Sequence, residues 1–546
     1  MTNISSLQKE LLKYNPTLPN CLKDLSKLKI VLKEKAYPKT DEKEIEKLFK
    51  NTYGKEIIEF TSSSSAKENQ AKKVAVVFSG GQASGGHNVI TGLFDALKKL
   101  HPSSKLFGFL KGPIGIVNSK YIELTKEIID DYRNMGGFDL IGSGRDKIET
   151  DEQLNNAYET AKKLNLDGLV VIGGDDSNTN ACVLAEYFKK HDLKTNVIGV
   201  PKTIDGDLKN EYIETSFGFD TATKIYSDLI ANIQRDALSA KKYYHFIKLM
   251  GRSASHIALE CALKTHPNMA IISEEVLNKK MTLEMITKEI ANLIEERNKD
   301  NKNYGVILIP EGLIEFIDEF KILISELNKI LSDKKVEEEI NNLNSLNEKI
   351  KHIEQLLSKE SLNCFNLLPN SIKEQLLLDR DPHGNVKVSQ IETEKLLIET
   401  VKKTLKEKNI KLNALSHFFG YEGRSSFPSL FDANYCYSLG HVAAVLINNN
   451  LSGYMSSLSN LKDNTDNWIA RGIPITSMMN IEKRHGILKP VIKKALVELD
   501  SKAFKEFEKN RKKWAKNDDY AYPGPIQYFA DHEISLSIPI SLILRD

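Results

Sequence analysis

Two short apolar runs, each ending in a glycine- and aspartate-rich cluster, constrain this chain more than anything else in it. Leu169-Val170-Val171-Ile172 runs straight into Gly173-Gly174-Asp175-Asp176-Ser177. Val197-Ile198-Gly199-Val200 runs into Pro201-Lys202-Thr203-Ile204-Asp205-Gly206-Asp207. Runs so short and so rich in β-branched residues read as strands buried on both faces of a parallel sheet. Helix-like sequence lies between them, at about 180 to 190, which makes a βαβ unit. In open α/β sheets ligands bind beyond the carboxyl ends of the strands. Both acidic clusters fall there. Glycine lets the backbone approach a phosphate closely, and carboxylates hold magnesium. Phosphoryl transfer is therefore the expectation against which the rest of the chain is read.

Other strand ends carry comparable groups. Val74-Ala75-Val76-Val77-Phe78 leads into Ser79-Gly80-Gly81-Gln82-Ala83-Ser84-Gly85-Gly86 and a helix. Strand, glycine turn, helix points backbone N–H groups at an anion. The spacing is neither the dinucleotide fingerprint nor a P-loop, so a tight packing turn and a phosphate cradle both remain open. Phe138-Asp139-Leu140-Ile141 reads as a strand before Gly142-Ser143-Gly144-Arg145. A guanidinium suits phosphate oxygens, although pairing with Asp146 or Glu149 is the simpler account of Arg145 taken alone. Tyr243 to Leu249 ends in Met250-Gly251-Arg252, and Tyr304 to Ile309 in Pro310-Glu311-Gly312. Five polar motifs past five apolar strands are hard to explain by packing.

At 546 residues the chain holds several core-forming units. Residues 1–72 are rich in Lys, Glu and Leu and are expected to form an N-terminal helical extension with a polar linker at 61–70. Residues 73–235 form a first α/β domain. Residues 236–546 form a second, with a helical insertion at about 316–411 broken near 379–384, and a C-terminal segment returning to the first domain. A lid or an oligomer contact is open for the insertion, plain surface packing being the simpler account. A helix is expected near 490–507. The fold class is α/β, with two Rossmann-like parallel-sheet domains.

The net charge of +2 argues against a dominant nucleic-acid or membrane field. The five cysteines are scattered, without a C-x-x-C pair, which suits reduced thiols rather than a disulfide framework or a zinc site. With no run of membrane-spanning length and no signal-like start, a cytoplasmic location is expected. His87, His256 and His485 are scattered and read as structural.

Taken in order, Gly80-Gly81, Gly173-Gly174-Asp175-Asp176-Ser177, Pro201-Lys202-Thr203-Ile204-Asp205-Gly206-Asp207, Met250-Gly251-Arg252, Pro310-Glu311-Gly312 and Tyr421-Glu422-Gly423-Arg424 resemble the phosphofructokinase family. Within it the chain is similar to the long-form pyrophosphate-dependent branch, of which the plant catalytic β subunit is an example. The resemblance spans roughly residues 73 to 540. Ser84, Ser425-Ser426-Phe427 and the stretch Gln234 to Leu238 depart from the pattern without removing a group the chemistry needs.

The resemblance implies reversible, magnesium-assisted phosphoryl transfer from diphosphate to the 1-hydroxyl of fructose 6-phosphate, the first committed step of glycolysis. It makes Asp175 the metal carboxylate, with capping of the next helix as the alternative. Asp205 is the base. Lys202 neutralises the moving phosphoryl, and Gly81 and Arg145 join it on the diphosphate. Asp207 either orients the loop or meets metal-bound water. Asp176 replaces the glycine of the ATP-using branch. Two like charges about 4 Å apart cost roughly 1 to 4 kcal/mol, or about tenfold to several hundredfold against ATP. The sugar phosphate is assigned Thr203, Ile204, Asp205, Met250, Gly251, Arg252, Glu311, Tyr421, Glu422, Gly423 and Arg424, with Arg252 and Arg424 as clamps for the 6-phosphate. Lys242 and Tyr243 imply a site completed by a second subunit, hence a homodimer or higher homo-oligomer. Three readings compete. An ATP-dependent enzyme is opposed by Asp176 and Lys202. A nicotinamide oxidoreductase is opposed by the fingerprint spacing. A non-catalytic regulatory subunit is opposed by retention of the catalytic groups.

Overall fold

A computed structural model describes residues 5–378, 386, 391–484 and 487–524. In chain order the strands are β1 (Leu28–Lys35), β2 (Glu56–Ser62), β3 (Lys73–Ser79), β4 (Lys105–Phe109), β5 (Tyr121–Glu123), β6 (Ser143–Gly144), β7 (Gly168–Gly173) and β8 (Asn196–Pro201). There follow β9 (Tyr243–Leu249), β10 (Met269–Ala270), β11 (Tyr304–Pro310) and β12 (Ala414–Phe419). The last are β13 (Tyr454–Ser459), β14 (Ile469–Pro474), β15 (Met479–Arg484) and β16 (Ile487–Ile492). Among the described residues two compact units emerge. One comprises those up to Ala222 together with Tyr421–Ala495. The other comprises Thr223–Gly420 and 496–524.

In the first unit the sheet order is β1-β2-β14-β13-β8-β7-β3-β4-β5, with β6 beside β3. Its centre, β8-β7-β3-β4, is parallel. Val74–Phe78, Leu169–Ile172 and Val197–Val200 are buried, as runs apolar on both faces must be. After β3 the chain steps outward to β4, then returns past β3 to β7. The order thus reverses between β3 and β7, and the crevice at such a reversal is where an α/β sheet binds ligand. Helices Gly86–Leu100 and Leu430–Asn448 cross at Gly92 and Gly440, where any side chain would strike the opposite backbone.

The second unit is built on a smaller sheet, β10-β11-β9-β12, with every pairing parallel. Helices from Asp318–Leu331 to Thr393–Glu407 contribute Phe320, Leu323, Ile353, Phe365, Leu397 and Val401 to its core with Phe246 and Ile307. Lys248 of β9 pairs with Glu394 at 3.2 Å, both side chains buried, and donates to Ile391 O. The expected break at 379–384 lies outside the described residues.

Three expectations need correction. The N-terminal stretch is not a helical extension. It contains the short helices Ser6–Lys13 and Glu42–Leu48, but β1 and β2 pair antiparallel and β2 joins β14. Ile57, Ile58 and Phe60 drive this: β2 buries them while covering an edge that would otherwise be open. Phe138–Ile141 is a turn closed by Gly142 N donating to Phe138 O, not a strand. Its apolar residues plug the core instead, with Phe138 stacked on Phe78 at 3.9 Å. The helix expected from 490 starts only at Lys502, capped by Ser501, because Pro490 and Ile492 belong to the β15–β16 hairpin.

Candidate active site

The first unit gathers its candidates at the carboxyl ends of β3, β7 and β8. After β3, Gly80 turns with φ +88°, a conformation glycine alone adopts freely. β6 clamps this turn: Gly80 N donates to Gly144 O at 2.8 Å, and Ser143 Oγ donates to Gly80 O at 2.7 Å. Ser177 Oγ ties the end of β7 to β3 through Ser79 Oγ at 2.8 Å. Two glycine turns and the residue before Arg145 are thus held in one cluster. Arg145 itself is exposed at its edge.

Asp175 opens the helix Asp175–Lys190, whose N-cap is Gly174 with no side-chain capping bond. Asp175 is the first helical residue rather than the N-cap, and its carboxyl engages the Asp176 N–H. Its Oδ2 is buried and accepts no hydrogen bond, and burial pushes the carboxyl above the usual range. A buried carboxylate oxygen left without a donor fits a hard cation that takes oxygen ligands. Among the described residues no group of three or more acidic, histidine or cysteine side chains is poised around an ion. Magnesium characteristically needs only one or two carboxylates, taking its other ligands from water and substrate phosphates. Asp176, in the same first turn, is half-exposed and pairs with Lys147 at 3.3 Å.

Lys202 follows β8 and is buried, its backbone N–H donating to Gly173 O. A Cβ on Gly80 would stand 3.4 Å from its Nζ, and one on Gly174 3.4 Å from its carbonyl oxygen. Burial pushes the Lys202 ammonium down to about 8, with Arg424 adding to the shift and Asp205, Asp175 and Asp207 opposing it. In the loop beyond, Thr203 Oγ1 accepts from Asp205 N at 3.1 Å and Ser216 Oγ donates to Thr203 O. Ile204 is buried and anchors the turn that presents the half-buried Asp205. Asp207 is buried beneath it.

Arg424 belongs to this unit, not to the group around Arg252. Its guanidinium donates to Gln82 Oε1 and would lie 2.8 Å from a Cβ on Gly81. Tyr421 packs against it, ring centroid 5.2 Å from the guanidinium carbon, on the turn Tyr421–Gly423 that also exposes Glu422. Gly81 and Arg424, assigned to diphosphate and sugar phosphate respectively, are therefore neighbours.

The second unit holds the other candidates. Glu311, buried after β11, accepts from Gly251 N at 3.0 Å, while its own N–H donates to Leu249 O. Glu311 thus fixes the bend of Met250-Gly251-Arg252. A side chain on Gly312 would collide with Arg252 O. Met250 N donates to Phe419 O of β12, and Arg252 is exposed beyond the bend. Lys242 and Tyr243, also exposed, stand at the opposite end of β9, and Tyr243 has φ +66°.

Sequence reasoning missed Lys494, 3.8 Å from Asp175 Oδ2 and 3.6 Å from Asp207 Oδ2. It also missed Lys147 and Gln82. No local signal marks any of them, since each acts through contacts set by the fold. His87 is structural: Met135 O and Leu140 N bracket its ring nitrogens, and burial pushes it down to about 4. His485 lies outside the described residues.

Comparison with known proteins agrees with this architecture. Residues 73–447 match the family described as Phosphofructokinase. The chain is 50% identical over 534 residues to the pyrophosphate–fructose 6-phosphate 1-phosphotransferase of Entamoeba histolytica, covering 97% of both chains. It is 53% identical over 493 residues to subunit beta 2 of that enzyme from Arabidopsis thaliana, covering 89% of this chain and 85% of the relative. Among solved structures, a pyrophosphate-dependent phosphofructokinase from Nitrosospira multiformis superposes with a TM-score of 0.56 at 14% identity, over 85% of this chain and 95% of that one. With a family match that embraces the strand-end motifs and relatives alike from end to end, the chain belongs to the phosphofructokinase family.

Proposed function

We propose that the chain reversibly transfers a phosphoryl group from diphosphate to the 1-hydroxyl of fructose 6-phosphate, giving fructose 1,6-bisphosphate and phosphate. The observation that carries this reading is the Lys202 ammonium, buried under the Gly80 turn beside Asp175, Asp205 and Asp207. The names of the relatives just described support the same substrates.

In the proposed mechanism Asp205 takes the proton of the 1-hydroxyl as that oxygen attacks the nearer phosphorus of diphosphate. The new O–P bond forms as the bridging P–O bond breaks, and phosphate leaves. Lys202 offsets charge on the moving phosphoryl and the leaving group. Asp175 would hold magnesium, which supplies further charge neutralisation on the diphosphate oxygens. Gly81 and Arg145 serve the diphosphate, and Thr203 and Ile204 hold the loop that presents Asp205. Arg252, Met250, Gly251, Glu311, Lys242 and Tyr243 serve the sugar phosphate, with Tyr421, Glu422, Gly423 and Arg424. We assign the last residue to the diphosphate turn as well, because its guanidinium already engages Gln82. The Lys147–Asp176 pair bears on donor choice. It moderates the charge of the Asp176 carboxylate, which in this reading opposes the α-phosphate of ATP.

A homodimer or higher homo-oligomer and a cytoplasmic location complete the reading. No described helix is long and apolar enough to cross a membrane. The deciding experiment is a donor assay with fructose 6-phosphate and magnesium. Diphosphate should be used far better than ATP; equal or better use of ATP would overturn the assignment.

A further inference from the structure

Lys494 reaches the candidate site from a part of the chain that carries none of its motifs. Its Nζ lies 3.8 Å from Asp175 Oδ2 and 3.6 Å from Asp207 Oδ2. The backbone is fastened on either side of it. Ile492 N donates to Thr179 Oγ1, on the helix that Asp175 opens, at 3.1 Å. Ala495 N donates to Asp207 O at 2.7 Å. The backbone that carries this ammonium is thus anchored beside both aspartates, leaving the side chain to turn. The facing charges are those of Asp175, Asp207, Asp205 and Asp176.

The spacing has a chemical consequence. At 3.8 Å the ammonium attracts the Asp175 carboxylate without hydrogen-bonding to it, and Oδ2 accepts no other hydrogen bond. That oxygen is charge-compensated but uncoordinated. A hard divalent cation would bind it directly, at about 2.1 Å and with twice the charge. Ammonium and cation cannot both sit on the same carboxylates at full strength.

We propose that Lys494 is a resident counter-ion, which competes with the divalent cation for Asp175 and Asp207 in the free protein and turns to the diphosphate when the donor enters. This rests on the metal role given to Asp175 above. The free chain then binds the bare cation weakly. Cation and diphosphate are taken up together, because the donor supplies the negative charge that receives the released ammonium.

The test is titration of Mn2+ alone into the full chain without diphosphate, with free Mn2+ read by electron paramagnetic resonance. K494M and K494Q should bind Mn2+ about tenfold more tightly than wild type. K494R should match wild type, and D175N/K494M should lose the gain. Equal or weaker Mn2+ binding by folded K494M and K494Q overturns the proposal. So does failure of both to fold, since the lysine would then be a structural prop. Diphosphate turnover by wild type is scored separately. Its absence would count against the proposed function while leaving the Mn2+ comparison readable.

Discussion

The Lys202 ammonium lies 3.4 Å from the point where a Cβ on Gly80 would stand. Gly80 also has φ +88°, so Gly80→Ala puts backbone strain of about 1–2 kcal/mol into a turn that is in van der Waals contact with the buried lysine. Turnover should fall at least about tenfold, since a small misplacement of a charge-neutralising group is costly. The melting temperature should drop by only a few degrees. Steady-state kinetics beside a thermal melt would check this. A variant with unchanged turnover would mean that the turn does not position Lys202.

Asp205→Ala should cut kcat by about 10² to 10⁴ with much less change in the sugar's KM, the pattern of a lost general base. Thr203 Oγ1 accepts from Asp205 N, so Thr203→Val should weaken presentation of the same carboxylate and give a smaller loss. Rates near wild type for Asp205→Ala would remove it from the proton path.

Asp176→Gly should relax discrimination against ATP by about tenfold to several hundredfold. Lys147 moderates the Asp176 charge, so Lys147→Ala should move discrimination the other way, by a smaller factor. The ratio of kcat/KM for the two donors reads both effects. Identical ratios in wild type and Asp176→Gly would put selectivity elsewhere.

How much of this was legible in the sequence depended on range. Val74–Phe78, Leu169–Ile172 and Val197–Val200 announced themselves because burial on both faces leaves no polar alternation to confuse. Phe138–Ile141 is also largely apolar, though broken by the exposed Asp139, but folds as a plug, with Gly137 and Gly142 at φ +81° and +68° on either side. β2 was less visible because what makes it part of the main sheet is β14, some four hundred residues away, while its near neighbour β1 is a lysine-rich edge strand. Asp175 and Lys202 were readable from strand-end position. Lys494 was not, since it follows β16 and meets Asp207, far off in sequence, through a contact that only the fold creates.

The buried pair Lys248–Glu394 ties the helical insertion to β9. Lys248→Ala leaves a carboxylate without its partner at a buried site and should destabilise by about 3–5 kcal/mol. Lys248→Met with Glu394→Leu should recover most of that, because an apolar pair needs no desolvation of charge. Urea denaturation of the three proteins decides. Similar midpoints for wild type and Lys248→Ala would mean that the pair holds nothing in place.

Lys202 makes a pH-dependent prediction whose sign is fixed by its shift. Its folded value of about 8 lies below the ordinary 10.5, because burial disfavours the charge. The neutral amine is thus favoured by folding. The stability this contributes is present above the unfolded value and is lost as pH falls through about 8. Binding acts in the opposite sense, since diphosphate beside the ammonium raises its pKa. Between about 8 and 10.5 the complex must therefore take up a proton at Lys202. Diphosphate has its own protonation, so the useful quantity is the difference between wild type and Lys202→Arg, whose guanidinium does not titrate in this range. Calorimetric titration at pH 9, in two buffers of different ionisation enthalpy, gives the proton count for each protein. Wild type should take up a larger fraction of a proton than Lys202→Arg at pH 9, and the two should agree at pH 6.5. Equal counts at both pH values would mean that Lys202 is already fully charged in the free protein.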